Sequence, residues 1–302
     1  MDGITPRPLV VEKYVSAAYP SLENILAEFV EKHSGQAEAA CFGIAGPIID
    51  GVVETTNLPW RIEAASVAKL LNVECAHLIN DLEANAFGMG ALAPEDFAVL
   101  HEGVCDRDGN AAIISAGTGL GEAGFSFDGK KHRPYASEGG HCDFAPRTEK
   151  DVELWRWLRE RKGHVSWESV LSGPGMVNIY QFLGGSTDRS GAAISSAGLD
   201  GSDALCVAAL DMFVAFYGAE AGNLAMKMKS TYGMFIGGGI APRILSKLQS
   251  PIFLDAFFDK GSMRDLVEAM PIRVSLNDGA ALLGAALCAA LRTGTVDHPF
   301  LS

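Results

Sequence analysis

The fold is decided by Ala111-Ala112-Ile113-Ile114-Ser115-Ala116-Gly117-Thr118-Gly119-Leu120-Gly121-Glu122-Ala123-Gly124-Phe125-Ser126-Phe127-Asp128-Gly129-Lys130. Residues 111–116 are small and apolar and read as a buried strand. Three alternating glycines follow, and without side chains their N–H groups are free to approach an anion, which makes the turn a phosphate-loop candidate. Residues 119–124 also satisfy G-x-G-x-x-G, the dinucleotide fingerprint, but that motif requires a helix next. Here Phe125-Ser126-Phe127 alternates into an Asp-Gly turn, so the context is strand, turn, strand. A plain hairpin turn remains the competing reading of the same glycines.

Upstream, 9–15 is short and β-branched and predicts a strand, and Ser21 precedes Leu22, Ile25, Leu26, Phe29 and Val30 at helical spacing. A hairpin is expected with arms 40–49 and 52–56 around Asp50-Gly51. Residues 63–71 read as helix and 73–79 as a strand ending at Asn80-Asp81; Leu82, Ala86 and Met89 then share one helical face. The pattern breaks at Pro94. This places a small α/β domain at 1–92 plus 281–302 and a large one at 93–280. Downstream, 152–161, 166–171 and 175–183 read as helices, and the Gly/Ser-rich 184–202 as a surface loop. Residues 234–236 form a strand entering Gly237-Gly238-Gly239, and 280–291 a final helix that packs back on the first domain.

Composition narrows the function. A chain of 302 residues with 48% hydrophobic content buries a substantial core, and its net charge of -13, with no Lys/Arg stripe, argues against nucleic acid. The long apolar run 204–228 is interrupted by Asp211, Glu220 and Lys227, which favours a buried helix over a membrane span. Six scattered cysteines without a C-x-x-C pair fit a reduced cytoplasm, and the first residues lack the basic start and apolar run of a signal peptide.

Four places are suited to chemistry. Asp81 follows a strand and opens a helix, where a carboxylate is able to take a proton from a hydroxyl, or simply to cap the helix. Glu138-Gly139-Gly140-His141 sets a carboxylate and an imidazole on either side of a tight turn, able to converge on a polyhydroxylated ligand. A solvated loop is the plain alternative, and zinc at His141 is disfavoured because only Cys142 lies near it. Glu168 sits in the first turn of a helix that Ser166 would cap, where the helix dipole alone favours an acid. Gly237-Gly238-Gly239 leaves room for a ribose or flat ring, or serves a sharp strand-to-helix turn. No G-x-x-x-x-G-K-[ST] occurs.

These motifs, with Asn57-Leu58-Pro59-Trp60, Gly163-His164-Val165-Ser166 and Leu171-Ser172-Gly173-Pro174-Gly175, stand in the order and spacing of the bacterial glucokinases, which the chain resembles over about 19–286. The resemblance implies a two-domain, actin-like (ribonuclease H-like) ATPase fold with a central cleft, and transfer of the ATP γ-phosphoryl group, with Mg²⁺, to the glucose 6-hydroxyl. It implies Asp81 as base, Asn57, Asn80, Glu138, His141 and Glu168 as sugar ligands, Gly117, Thr118, Gly119 and Gly121 as a phosphate loop, and Gly237, Gly238 and Gly239 as an adenosine loop. It also implies a homodimer. Members of the family open with an Asp-x-Gly-Gly-Thr-Asn loop on a first strand, and Met1-Asp2-Gly3-Ile4-Thr5 does not match it. The small domain is therefore expected to lack its first strand, and a non-catalytic sugar-binding or regulatory relative is the alternative function.

Overall fold

The computed structural model describes residues 6–33, 35–55, 58–298 and 300–301. In chain order the strands are β1 (Ala40–Ile44), β2 (Ile48–Ile49), β3 (Val52–Glu54), β4 (Arg61–Glu63), β5 (Ala76–Asn80), β6 (Phe97–His101), β7 (Ala111–Ala116), β8 (Leu120–Phe127), β9 (His132–Ser137), β10 (Gly233–Gly237) and β11 (Ile272–Ser275). The helices are α1 (Leu22–Lys32), α2 (Ala64–Leu71), α3 (Asp81–Ala91), α4 (Glu149–Lys162), α5 (Gly173–Phe182), α6 (Gly191–Asp200), α7 (Ala204–Met228), α8 (Leu245–Leu248), α9 (Pro251–Phe258), α10 (Arg264–Glu268) and α11 (Ala280–Arg292). Two compact units emerge: unit 1 draws on Met1–Pro94, Lys130–Ala136 and Asn277–Ser302, and unit 2 on Glu95–Gly129 and Ser137–Leu276.

In unit 1, β1 runs parallel to β5, with Ala40 opposite Ala76 and Ile44 opposite Asn80. A separate meander joins β2, β3 and β4 antiparallel. The long hairpin arm expected over 40–49 is thus two strands in two sheets: the chain turns at Gly46, whose φ of 132° suits glycine. The tight turn itself is where the sequence put it, with Asp50 and Gly51 both left-handed at φ 51° and 73°. The strand expected over 9–15 does not form. Leu9, Val10, Val11 and Val15 are exposed there, and β-branched side chains make a strand only where a sheet edge and an apolar face receive them. The reading of the first five residues as lacking a phosphate loop falls outside the described residues.

Helix α11 packs along α3 within unit 1. Small residues make the contact: a Cβ at Gly284 would overlap the Ala84 carbonyl, and one at Gly88 the Ala280 carbonyl, so the two backbones meet directly.

In unit 2 the sheet runs β6, β11, β10, β7, β8. Strand β10 lies parallel between β7 and β11, and β8 folds back antiparallel on β7 through the glycine turn. Every residue of β7 and of β10 is buried, as a central strand covered on both faces requires. Helix α7 is long and apolar enough to cross a bilayer, but it forms the core of unit 2, with Phe213, Val214, Tyr217 and Leu224 all fully buried. Residues 184–202 are not a loop throughout: Ser190 caps α6, its Oγ accepting from the Ala193 N–H at 3.2 Å, and Gly201 ends it at φ 74°. Ile194 buries against α7, so a tertiary contact made a helix of a Gly/Ser-rich segment.

Candidate functional site

Asp81 is the first residue of α3, directly after β5 in unit 1. Asn80 is the cap: its Oδ1 accepts from the Leu82 N–H at 2.8 Å, and the same N–H reaches Asp81 Oδ1 at 3.0 Å. Gly43 on β1 allows this arrangement, since a Cβ there would meet Ala84 Cβ at 2.7 Å and Asp81 Cα at 3.7 Å. The carboxyl is half-buried and lines a hollow of about 520 Å³ with Gly43, Ile44, Thr55, Trp60 and Ala281. Burial raises its pKa above the ordinary carboxylate value, and the Leu82 N–H partly offsets the rise. The capping role is therefore Asn80's more than Asp81's, and Asp81 keeps acceptor capacity for a substrate hydroxyl. Asn57 lies outside the described residues.

Unit 2 brings the remaining candidates together around one turn. Gly117, Thr118 and Gly119 link β7 to β8, closed by the Gly117 N–H donating to the Gly119 carbonyl at 2.9 Å. The N–H of Gly173, where α5 begins, donates to the Gly117 carbonyl at 2.8 Å. That places the partly positive end of a helix of ten residues beside the glycine turn. Gly238, at φ 81°, lies against β7 so closely that a Cβ would overlap the Ala116 carbonyl. The turn containing Gly237, Gly238 and Gly239 therefore sits next to the one containing Gly117 and Gly119, and leads into the Ala241–Ile244 turn that Pro242 helps start.

Glu168 belongs to the same assembly. The helix expected over 166–171 is a single 3₁₀ turn, Trp167–Ser169, and it presents the Glu168 carboxylate to the Leu120 N–H at 2.9 Å. Ser172, which the sequence reading did not single out, ties the pieces: its Oγ donates to the Glu168 carbonyl at 2.8 Å and accepts from the Gly175 N–H at 2.9 Å. The turn Gly139–His141 is held nearby through the bridge between Asp143 and Ser166. Glu138 Oε2 and His141 Nε2 lie 3.9 Å apart, both side chains largely exposed, at 71% and 61%. Both are thus accessible to a ligand, and the solvent around them makes their mutual attraction a minor energetic matter. The His164 ring, 3.2 Å from the His141 carbonyl, backs this loop.

Chemically, unit 2 offers a glycine turn beside a helix N-terminus, a setting suited to phosphates, and an exposed acid and imidazole, with Glu168 held against the same turn, suited to hydroxyls. Unit 1 offers Asp81, an acid raised in pKa by burial that borders a hollow. The sequence profile of the family described as Glucokinase matches residues 3–292. The glucokinase of Trichormus variabilis is 38% identical over 92% of this chain and 90% of its own. Among solved structures, a glucokinase from an Antarctic psychrotroph is 32% identical with a TM-score of 0.82, covering 92% of this chain and 88% of that one. A ROK-family glucokinase from Streptomyces griseus, in complex with glucose and AMPPNP, shares the fold at 22% identity and a TM-score of 0.60, over 90% and 89% of the two chains. A profile match across nearly the whole length, joined to relatives this similar, settles the affiliation: the chain belongs to the glucokinase family.

Proposed function

We propose that the protein transfers the γ-phosphoryl group of ATP to the 6-hydroxyl of glucose, giving glucose 6-phosphate and ADP, with Asp81 as the general base. Glucose phosphorylation itself follows from family membership. The observation that carries the finer reading is the Asp81 carboxyl, set at a strand-to-helix junction, lining a hollow, with its basicity raised by burial. In the reaction O6 of the sugar attacks the γ-phosphorus, the bond to the ADP oxygen breaks, and the hydroxyl proton passes to an Asp81 Oδ. Phosphoryl transfer asks little covalent help of a protein beyond a well-placed base and donors for the transferred group.

Within this reading Asn57, Asn80, Glu138, His141 and Glu168 hold sugar hydroxyls; Gly117, Thr118, Gly119 and Gly121 meet the phosphates, and Gly237, Gly238 and Gly239 the adenosine. The N-terminus of α5 beside Gly117 supports the phosphate assignment. A site whose polar groups need every hydroxyl of the sugar penalises an analogue lacking one. AMPPNP in the Streptomyces griseus relative supports ATP as donor. We infer that Mg²⁺ arrives on the nucleotide's phosphates as part of the substrate, since this ion keeps several waters and is commonly carried by substrate phosphates. The two-domain actin-like architecture, a cytoplasmic location and a homodimer complete the proposal. The non-catalytic alternative draws no support from the relatives.

A coupled assay supplying ATP, Mg²⁺ and glucose tests it. Stoichiometric ADP and glucose 6-phosphate are expected; glucose binding by calorimetry with no product formed would restore the non-catalytic reading.

A further inference from the structure

Behind the Gly139–His141 turn, unit 2 buries two carboxyl groups against each other. Glu122 on β8 is 1% exposed and Glu220 on α7 is fully buried, and the two side chains are in contact. Their partners differ. Glu220 has both oxygens occupied: Lys227 Nζ donates to Oε1 at 3.1 Å and Asn223 Nδ2 to Oε2 at 2.8 Å. That environment supports the ionised form. Glu122 has no such donor, and among the described residues its Oε1 has no hydrogen-bond partner at all. Burial first, and the neighbouring Glu220 charge second, raise its pKa to about 8. Burial raises Glu220 as well, with its Asn223 and Lys227 partners offsetting part of the rise, so of the two carboxyls Glu122 is the one that favours the protonated form.

Glu122 is also the floor of the turn. A Cβ at position 139 would overlap Glu122 Oε2, and one at position 140 would overlap the Leu120 carbonyl, so both glycines are spaces that β8 fills. Ser137 fastens the edge: its Oγ donates to the Glu122 carbonyl at 3.1 Å and accepts from the Gly139 N–H at 3.3 Å. Glu138 and His141 project from either side of this seat.

We propose that Glu122, in its protonated form and hydrogen-bonded to Glu220, is a positioning residue that holds the Gly139-Gly140 turn so that Glu138 and His141 meet the sugar. It touches no substrate. This rests on the reading of Glu138 and His141 as sugar ligands. Ionising Glu122 sets a second negative charge against Glu220 and repels the floor from its seat, so affinity for glucose falls while the chemical step is spared. The charged groups around the pair are Lys227 on α7, Lys260, whose Nζ donates to the Ala219 carbonyl at 3.0 Å, and Arg147, which pairs with Asp259 at 2.7 Å. Burial, then Arg147, lowers Lys260 to about 8 as well, so a pH profile alone does not identify the group, and variants are needed.

The experiment measures KM for glucose and kcat from pH 6.5 to about 9.5 for the wild type, Glu122→Gln, Glu122→Ala and His141→Ala, spanning the range in which a buried acid of this kind ionises. In the wild type KM is expected to rise about fivefold across that range at nearly constant kcat, the signature of lost substrate positioning. Glu122→Gln keeps a neutral group able to donate to Glu220, so its KM should stay flat at the low-pH value. Glu122→Ala should raise KM about fivefold at every pH with kcat within about twofold. A Glu122→Gln profile that climbs like the wild type's overturns the role, even if Glu122→Ala does not fold. An unchanged KM in His141→Ala overturns instead the reading of the turn as a sugar site.

Discussion

Asp81 in unit 1 and Glu122 in unit 2 are both carboxyl groups whose burial raises their pKa, yet their surroundings assign them different work. Asp81 sits at a helix N-terminus, keeps one N–H partner and borders a hollow, so its ionised form is tolerated and accessible. Glu122 is sealed beneath a turn and faces another carboxylate, so its neutral form is favoured and no substrate reaches it. A raised pKa alone thus does not mark a catalytic acid or base; access and the sign of the neighbouring charge decide.

The sharpest way to break this contrast is to remove each charge in turn. Asp81→Asn is expected to lower kcat by about 10² or more, the usual size of a general-base contribution, whereas Glu122→Gln should leave kcat within about twofold. Steady-state rates at saturating ATP and glucose read both, and equal losses would erase the distinction. Next in size, Gly238→Ala forces a side chain into the Ala116 carbonyl at φ 81° and should raise KM for ATP by about tenfold while KM for glucose changes little, since the strain falls on the glycine turn assigned to adenosine. Gly284→Ala, in unit 1, separates α11 from α3 and should cost about 1–3 kcal/mol in chemical denaturation, as overpacking does.

The smallest effects are in pH dependence. The base form of Asp81 prevails only above its raised pKa, so kcat should fall on the acid side at a pH higher than an ordinary aspartate would give. Glu122 acts on stability with the opposite consequence for alkaline solutions. Its folded pKa, about 8, exceeds its ordinary value of 4.5, so the folded state retains a proton the unfolded chain has released, and stability drops as pH rises from 4.5 to about 8. Melting temperatures of Glu122→Gln should lack that decline; a parallel decline would show that Glu122 is not its source.

The parts of the site legible in the sequence are those with local causes. Residues 111–116 announce a buried strand, the glycines at 117 and 119 announce the tight turn into the next strand, and Asn80-Asp81 announces a helix start, because each signal lies within a few residues of its consequence. What depends on distant partners was not legible. The 9–15 segment has strand composition but no strand, and 191–200 has loop composition but becomes helix against α7. The contact of Glu122 with Glu220 joins a strand to a helix almost a hundred residues away. The hint was an acid inside an apolar helix and another inside an apolar strand, but nothing in either stretch says that they face each other.

Assigning proton transfer to Asp81 is most directly tested by titrating Asp81→Asn with glucose in a calorimeter. The amide preserves the shape and removes the base, so binding within about twofold of the wild-type affinity is predicted for a variant whose turnover has collapsed. Loss of glucose binding in step with turnover would contradict the account and make Asp81 a sugar ligand instead.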